Sequence, residues 1–197
     1  MSINKLINAA QEKEQPDLVL KNAKTVNVFT GEIISGDIAI TDGIIVGIGE
    51  YSGKNEKDLC GKYVVPGFIN AHVHVESSMV TPPVYSMEEL KWGTTTIITD
   101  PHEIVNVGGC VSLRNILEVA KKCPVNYYVM LPSCVPATPF EHSGGVLNAD
   151  DLVKFKNDEC VLGLGEMMNV PGVLNCDSVV IDKLNAFSDM IIDGHSP

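Results

Sequence analysis

The sequence predicts an α/β fold: a small N-terminal antiparallel β-module, then a parallel sheet built from repeated strand–helix units. Three observations point there. Apolar, strand-like runs begin near Val64, Thr94, Val125, Cys160 and Met190, spaced by about 30 residues, the length of one βα unit. Helix-type spacing of apolar residues fills the gaps between them. Ahead of Tyr63 the pattern differs, with short β-type runs punctuated by turn signals.

In chain order, residues 1 to about 16 read as a short polar helix or arm ending at Pro16. From Asp17 to about Glu50 the β-type runs are Leu18 to Leu20, Thr25 to Phe29, Asp37 to Ile40 and Ile44 to Ile48. Thr30-Gly31, Ser35-Gly36 and Thr41-Asp42-Gly43 separate them as turns, and Asp-Gly between alternating apolar residues is a strong hairpin signal. Beyond Tyr63, Leu113, Ile116, Leu117 and Ala120 fall at i, i+3, i+4 and i+7 and predict a helix. Asn148 or Asp150 can cap a second helix carrying Leu152, Val153 and Phe155. A third, around Ser178 to Phe187, would bury Val180, Ile181 and Leu184. Such alternation implies a parallel sheet, either doubly wound or a barrel. Five strands are present and a closed barrel has eight, so the sheet is either open or a truncated barrel. The expected division is residues 1–62 for arm and β-module and 63–197 for the strand–helix units.

Composition narrows the function classes. Of 197 residues, 45% are apolar and 20% charged, an ordinary globular balance with enough chain for a core. Lys and Arg number 14 against 25 Asp and Glu, a net charge of −11, which argues against general affinity for nucleic acid or anionic membrane. No apolar run approaches the roughly 18 to 20 residues that span a bilayer. The N-terminus lacks the apolar core of a signal peptide, so the expected setting is the cytoplasm. The six cysteines, Cys60, Cys110, Cys123, Cys134, Cys160 and Cys176, form no C-x-x-C pair and are expected reduced, most as small core residues.

The chemistry concentrates where strands end. His72 and His74 are two apart in a strand, so both imidazoles reach one point, and neutral imidazole is a good ligand for divalent transition metals. The second strand runs into Asp100-Pro101-His102-Glu103, the third ends at Ser133-Cys134, the fourth delivers Glu166 and the fifth His195. Taken singly these have plain explanations. The histidines can be satisfied core or capping groups, Glu166 a solvated loop residue, and Asp100 or Glu103 a helix cap. His142 reads as solvent-facing, and Ser77 and Ser78 have no base at a fixed spacing. Together, at the end of a barrel where active sites gather, they read as a metal site.

The run Val65-Pro66-Gly67-Phe68-Ile69-Asn70-Ala71-His72-Val73-His74 resembles the first-strand signature of the amidohydrolase superfamily. With Val75-Glu76-Ser77-Ser78-Met79, Gly93-Thr94-Thr95-Thr96, Asp100-Pro101-His102-Glu103-Ile104, Gly163-Leu164-Gly165-Glu166-Met167-Met168 and Asp193-Gly194-His195, the resemblance narrows to the prokaryotic adenine deaminases, from Asp17 to Pro197. It implies a metal-dependent hydrolase barrel of TIM type with a binuclear site, converting adenine and water to hypoxanthine and ammonia. Carried over by position, His72 and His74 bind one metal, Glu166 bridges both, and His195 binds the second. Many relatives use a carboxylated lysine as the bridge; none stands at the end of the fourth strand here. Manganese or iron is implied, and zinc is allowed by ligand type.

The family takes a further histidine from strand six and an aspartate from strand eight, so the expectation is an N-terminal portion of a longer homo-oligomeric enzyme, inactive alone. Within these residues Glu166, His102 and Glu103 are the candidates for catalytic proton handling. Two alternatives stand: another cyclic amidohydrolase of dihydroorotase or imidazolonase type, and a non-catalytic fragment pairing with a separate C-terminal half. Glu166 and the Glu76 to Met79 run favour the deaminase.

Overall fold

A computed structural model describes residues 2–138 and 140–195. The chain divides into two compact units, Met1–Pro66 and Gly67–Pro197. In the first, helix α1 (Ile3–Ala10) precedes β1 (Leu18–Asn27), β2 (Glu32–Thr41) and β3 (Ile44–Gly49), which pair antiparallel in the order β3-β2-β1. Asp42 and Gly43 turn between β2 and β3 with φ of 51° and 77°, the doubly positive backbone that favours Asp-Gly in a tight hairpin.

Two short strands change the expected picture. β4 (Glu56–Asp58) and β5 (Tyr63–Val64) both pair parallel with β1, so the sheet is mixed rather than purely antiparallel. Val64 therefore belongs to this sheet, not to the first barrel-type strand. Ser35-Gly36, expected as a turn, lies inside β2. A Cβ on Gly36 would sit 3.1 Å from the Gly49 carbonyl oxygen, so this glycine marks a close strand approach rather than a chain reversal.

The second unit carries β6 (Phe68–Val73), β7 (Thr94–Thr99), β8 (Asn126–Leu131), β9 (Val161–Met167) and β10 (Ile191–Gly194). They pair in sequence order, every neighbour parallel. A doubly wound sheet reverses its order at a switch point; an unreversed order is that of a barrel. The open alternative is thereby decided: these five strands form a curled half-barrel.

Helices α2 (Pro82–Lys91), α3 (His102–Ala120), α4 (Ala149–Val153), α5 (Val170–Leu174) and α6 (Ser178–Ala186) lie in the connections. α3 starts well before the Leu113–Ala120 stretch the spacing marked, and it kinks at Gly109, whose φ of 56° and ψ of −145° suit glycine alone. Ile97, Val129, Leu131 and Leu164 from the strands pack in one core with Val105, Leu113 and Leu117 of α3, Leu152 and Phe187. α6 differs from expectation, burying Val180 and Lys183 while Ile181 and Leu184 stay partly covered. The six thiols are free, but only Cys134 and Cys160 are buried, because the others fall on loops or helix flanks. Among the described residues no helix is long and apolar enough to cross a membrane.

Candidate metal centre

The period-two geometry of β6 sends His72 and His74 toward the C-terminal end of the sheet, where β7, β9 and β10 also end. Glu166, 7% exposed, sits among four imidazoles. Its Oε1 lies 2.9 Å from His74 Nε2, 3.6 Å from His72 Nε2 and 3.6 Å from His102 Nδ1. Its Oε2 lies 2.7 Å from His195 Nε2. The two oxygens of one carboxylate thus face different histidines.

The imidazoles are aimed by their other nitrogens. His74 Nδ1–H donates to the Asp100 backbone carbonyl at 2.9 Å, and His72 Nδ1–H to Asp193 Oδ2 at 3.0 Å. With those protons fixed, both Nε2 atoms present lone pairs, and they lie 3.3 Å apart beside an anionic oxygen. Three electron-rich atoms so close repel unless a cation sits among them, and a histidine whose far nitrogen is held by a carboxylate or carbonyl is the usual metal-ligand arrangement. The donor set therefore fits a divalent metal. The donor atoms of His72, His74 and Glu166 all lie within 4.8 Å of one another, and so do those of Asp100, His102 and Glu166. In the second group Asp100 Oδ1 and His102 Nδ1 are buried with no hydrogen-bond partner, 3.7 Å apart. The neighbouring Asp100 carboxylate, against the opposing effect of burial, raises the His102 imidazole above its usual range.

Asp100 does more than the sequence suggested. It does not cap α3; Glu76 does, its Oε1 accepting from the N–H groups of Glu103 at 3.1 Å and Ile104 at 3.4 Å. Burial raises the Glu76 carboxyl above the usual carboxylate range. Asp100, 1% exposed, is left free to accept from the Glu166 N–H through Oδ2 at 2.8 Å. A Cβ on Gly165 would stand 2.2 Å from that oxygen. Gly165→Ala is accordingly expected to push Asp100 aside and to destabilise the protein by about 1–3 kcal/mol, read as a lower denaturation midpoint.

Glu103 stays outside the cluster. It is exposed, and Ser77 Oγ, 2.8 Å from both its oxygens, donates its single proton to this carboxylate. His142 is exposed as expected. Sequence reasoning passed over Asp193, although it stands two residues before His195 at the period that drew attention to His72 and His74.

The sequence profile of the amidohydrolase family matches residues 63–192. "Adenine deaminase 2" of Carboxydothermus hydrogenoformans is 50% identical over 195 residues, covering 99% of this chain and 34% of that protein. "Adenine deaminase" of Clostridium acetobutylicum is 51% identical over 197 residues, covering 99% of this chain and 35% of that one. The chain thus spans about a third of the length of the curated relatives it matches. Among solved structures, one of an adenine deaminase superposes with a TM-score of 0.62 at 20% identity, over 93% of this chain and 51% of that one. The L-hydantoinase of Arthrobacter aurescens gives 0.53 at 20%, over 78% of this chain and 33% of that one, and at such identity both speak for the fold alone.

Proposed function

Because the chain belongs to the amidohydrolase family, we propose that its strand ends form part of the metal centre of a hydrolytic deaminase converting adenine and water to hypoxanthine and ammonia. One observation carries the reading: the buried Glu166 carboxylate turns one oxygen to His72 and His74 and the other to His195. When bound, two divalent cations (manganese or iron by family likeness, zinc by ligand type) supply a nucleophilic water near neutral pH. His72 and His74 would hold one cation, His195 would hold the other, and Glu166 would be the carboxylate shared between them. Asp100 and Asp193 keep the first two imidazoles in the tautomer that offers Nε2. His102 can hold a proton at Nδ1, 3.6 Å from Glu166 Oε1, and is the residue of this chain placed to pass one beside the reacting centre. Glu103, engaged by Ser77, has no part in the reading. The setting we assign is the cytoplasm, and the assembly a homo-oligomer.

A second reading, hydrolysis of a cyclic amide, is compatible with the same fold. The substrates separate the two. Full-length protein loaded with manganese or iron is expected to release equal amounts of ammonia and hypoxanthine from adenine, and to leave hydantoin and dihydroorotate intact. Ring opening of either, with adenine untouched, would overturn the assignment.

A further inference from the structure

We propose that Ser133 and Lys183 are positioning residues for the Glu166 carboxylate: α6 holds the loop after β8, and that loop holds the end of β9. The proposal rests on the metal centre just described. The β8–β9 ladder has Leu131 opposite Leu164 as its last pair, so Glu166 lies beyond the reach of β8 backbone. Side chains take over there. The Glu166 N–H goes to Asp100 Oδ2 at 2.8 Å, and its carbonyl accepts from Ser133 Oγ at 2.6 Å. Ser133 is 2% exposed, and its single hydroxyl proton is committed to this shortest of its contacts.

Ser133 is itself anchored from behind. Lys183 Nζ donates to its backbone carbonyl at 2.7 Å. Lys183 is 5% exposed, and among the described residues no carboxylate lies within ion-pair distance of it. A buried amine without a counter-ion is costly, and an apolar side chain would fill the same face of α6 beside Val180 at no such cost. The hydrogen bond to Ser133 is the return on that cost. Burial lowers the Lys183 pKa, consistent with an amine held for its donor rather than for its charge. A carboxylate shared by opposed imidazoles tolerates little drift, and partners one step behind metal ligands set their aim.

The test uses full-length protein and manganese(II) binding measured by equilibrium dialysis. Ser133→Ala and Lys183→Met are each expected to weaken manganese binding by about 10- to 100-fold. The double variant should bind no more weakly than Ser133→Ala, because both act through one bond to Glu166. Where activity is followed, kcat should fall while the KM for adenine stays put. Ser133→Ala removes only a hydroxyl, so it carries the test even where Lys183→Met fails to fold. Wild-type affinity in Ser133→Ala, or losses that add in the double variant, would overturn the inference. Glu166→Gln keeps the two levels apart. If it alone loses manganese, the positioning idea fails and the centre stands; if it too binds as wild type, the centre fails.

Discussion

Glu166→Gln in the full-length protein is expected to empty both metal positions and to lower deamination by about 10²- to 10⁴-fold or more. An amide keeps one acceptor oxygen and replaces the other with a group that cannot ligate a cation. Glu166 Oε1 faces His72, His74 and His102 while Oε2 faces His195, so either orientation of the glutamine breaks one side, and loss of the negative charge weakens the other. His195→Ala removes one exposed imidazole on the Oε2 side and is expected to lower the metal count by one, leaving the pair at His72 and His74. Metal per chain after desalting, by elemental analysis, separates the outcomes. An equal loss of a single metal in both variants would refute the bridge.

The 197 residues expressed alone are expected to turn over adenine at least about 10²- to 10⁴-fold more slowly than full-length protein, and to self-associate. The half-barrel explains why. β6 and β10 each have one neighbour among the described residues, and their apolar side chains stand in water: Phe68 at 60% and Ile69 at 63% exposed on β6, Ile191 at 60% on β10. Burying each such side chain contributes about 1.5–3 kcal/mol, which a closed barrel collects and this sheet does not. Unpaired parallel edges of this kind seek another strand. Size-exclusion chromatography and hypoxanthine formation check both halves of the expectation. A monomeric chain turning over adenine within about tenfold of full-length protein would contradict it.

Much of the candidate site was legible because barrel chemistry leaves a mark in the sequence. Apolar strand interiors end in His72-x-His74, Asp100-x-His102, Glu166 and His195, and the structure brings the other three ends to the Glu166 carboxylate. Strand order was not legible in the local pattern alone; the family resemblance implied the barrel. Doubly wound and barrel sheets share local patterns, and only the pairing of β6 through β10 in sequence order separates them. The role of Asp100 stayed open for a similar reason. A carboxylate before a helix looks like a cap, and the competing cap, Glu76, comes from a different segment 27 residues before Glu103. Ser35-Gly36 reads as a turn in the sequence because glycine at a turn and glycine at a tight strand crossing look alike until the neighbouring Gly49 is placed. Lys183 had no signal at all, since a lysine on a helix face normally reads as solvated.

Anomalous scattering at the manganese edge, from crystals of full-length protein loaded with that metal, tests the central claim most directly. The expected result is peaks within about 2.0–2.4 Å of Nε2 of His72 and His74, of Nε2 of His195, and of Glu166 oxygens, with one oxygen directed to each peak. Manganese bound elsewhere on the protein, with these four residues free of it, would contradict the claim.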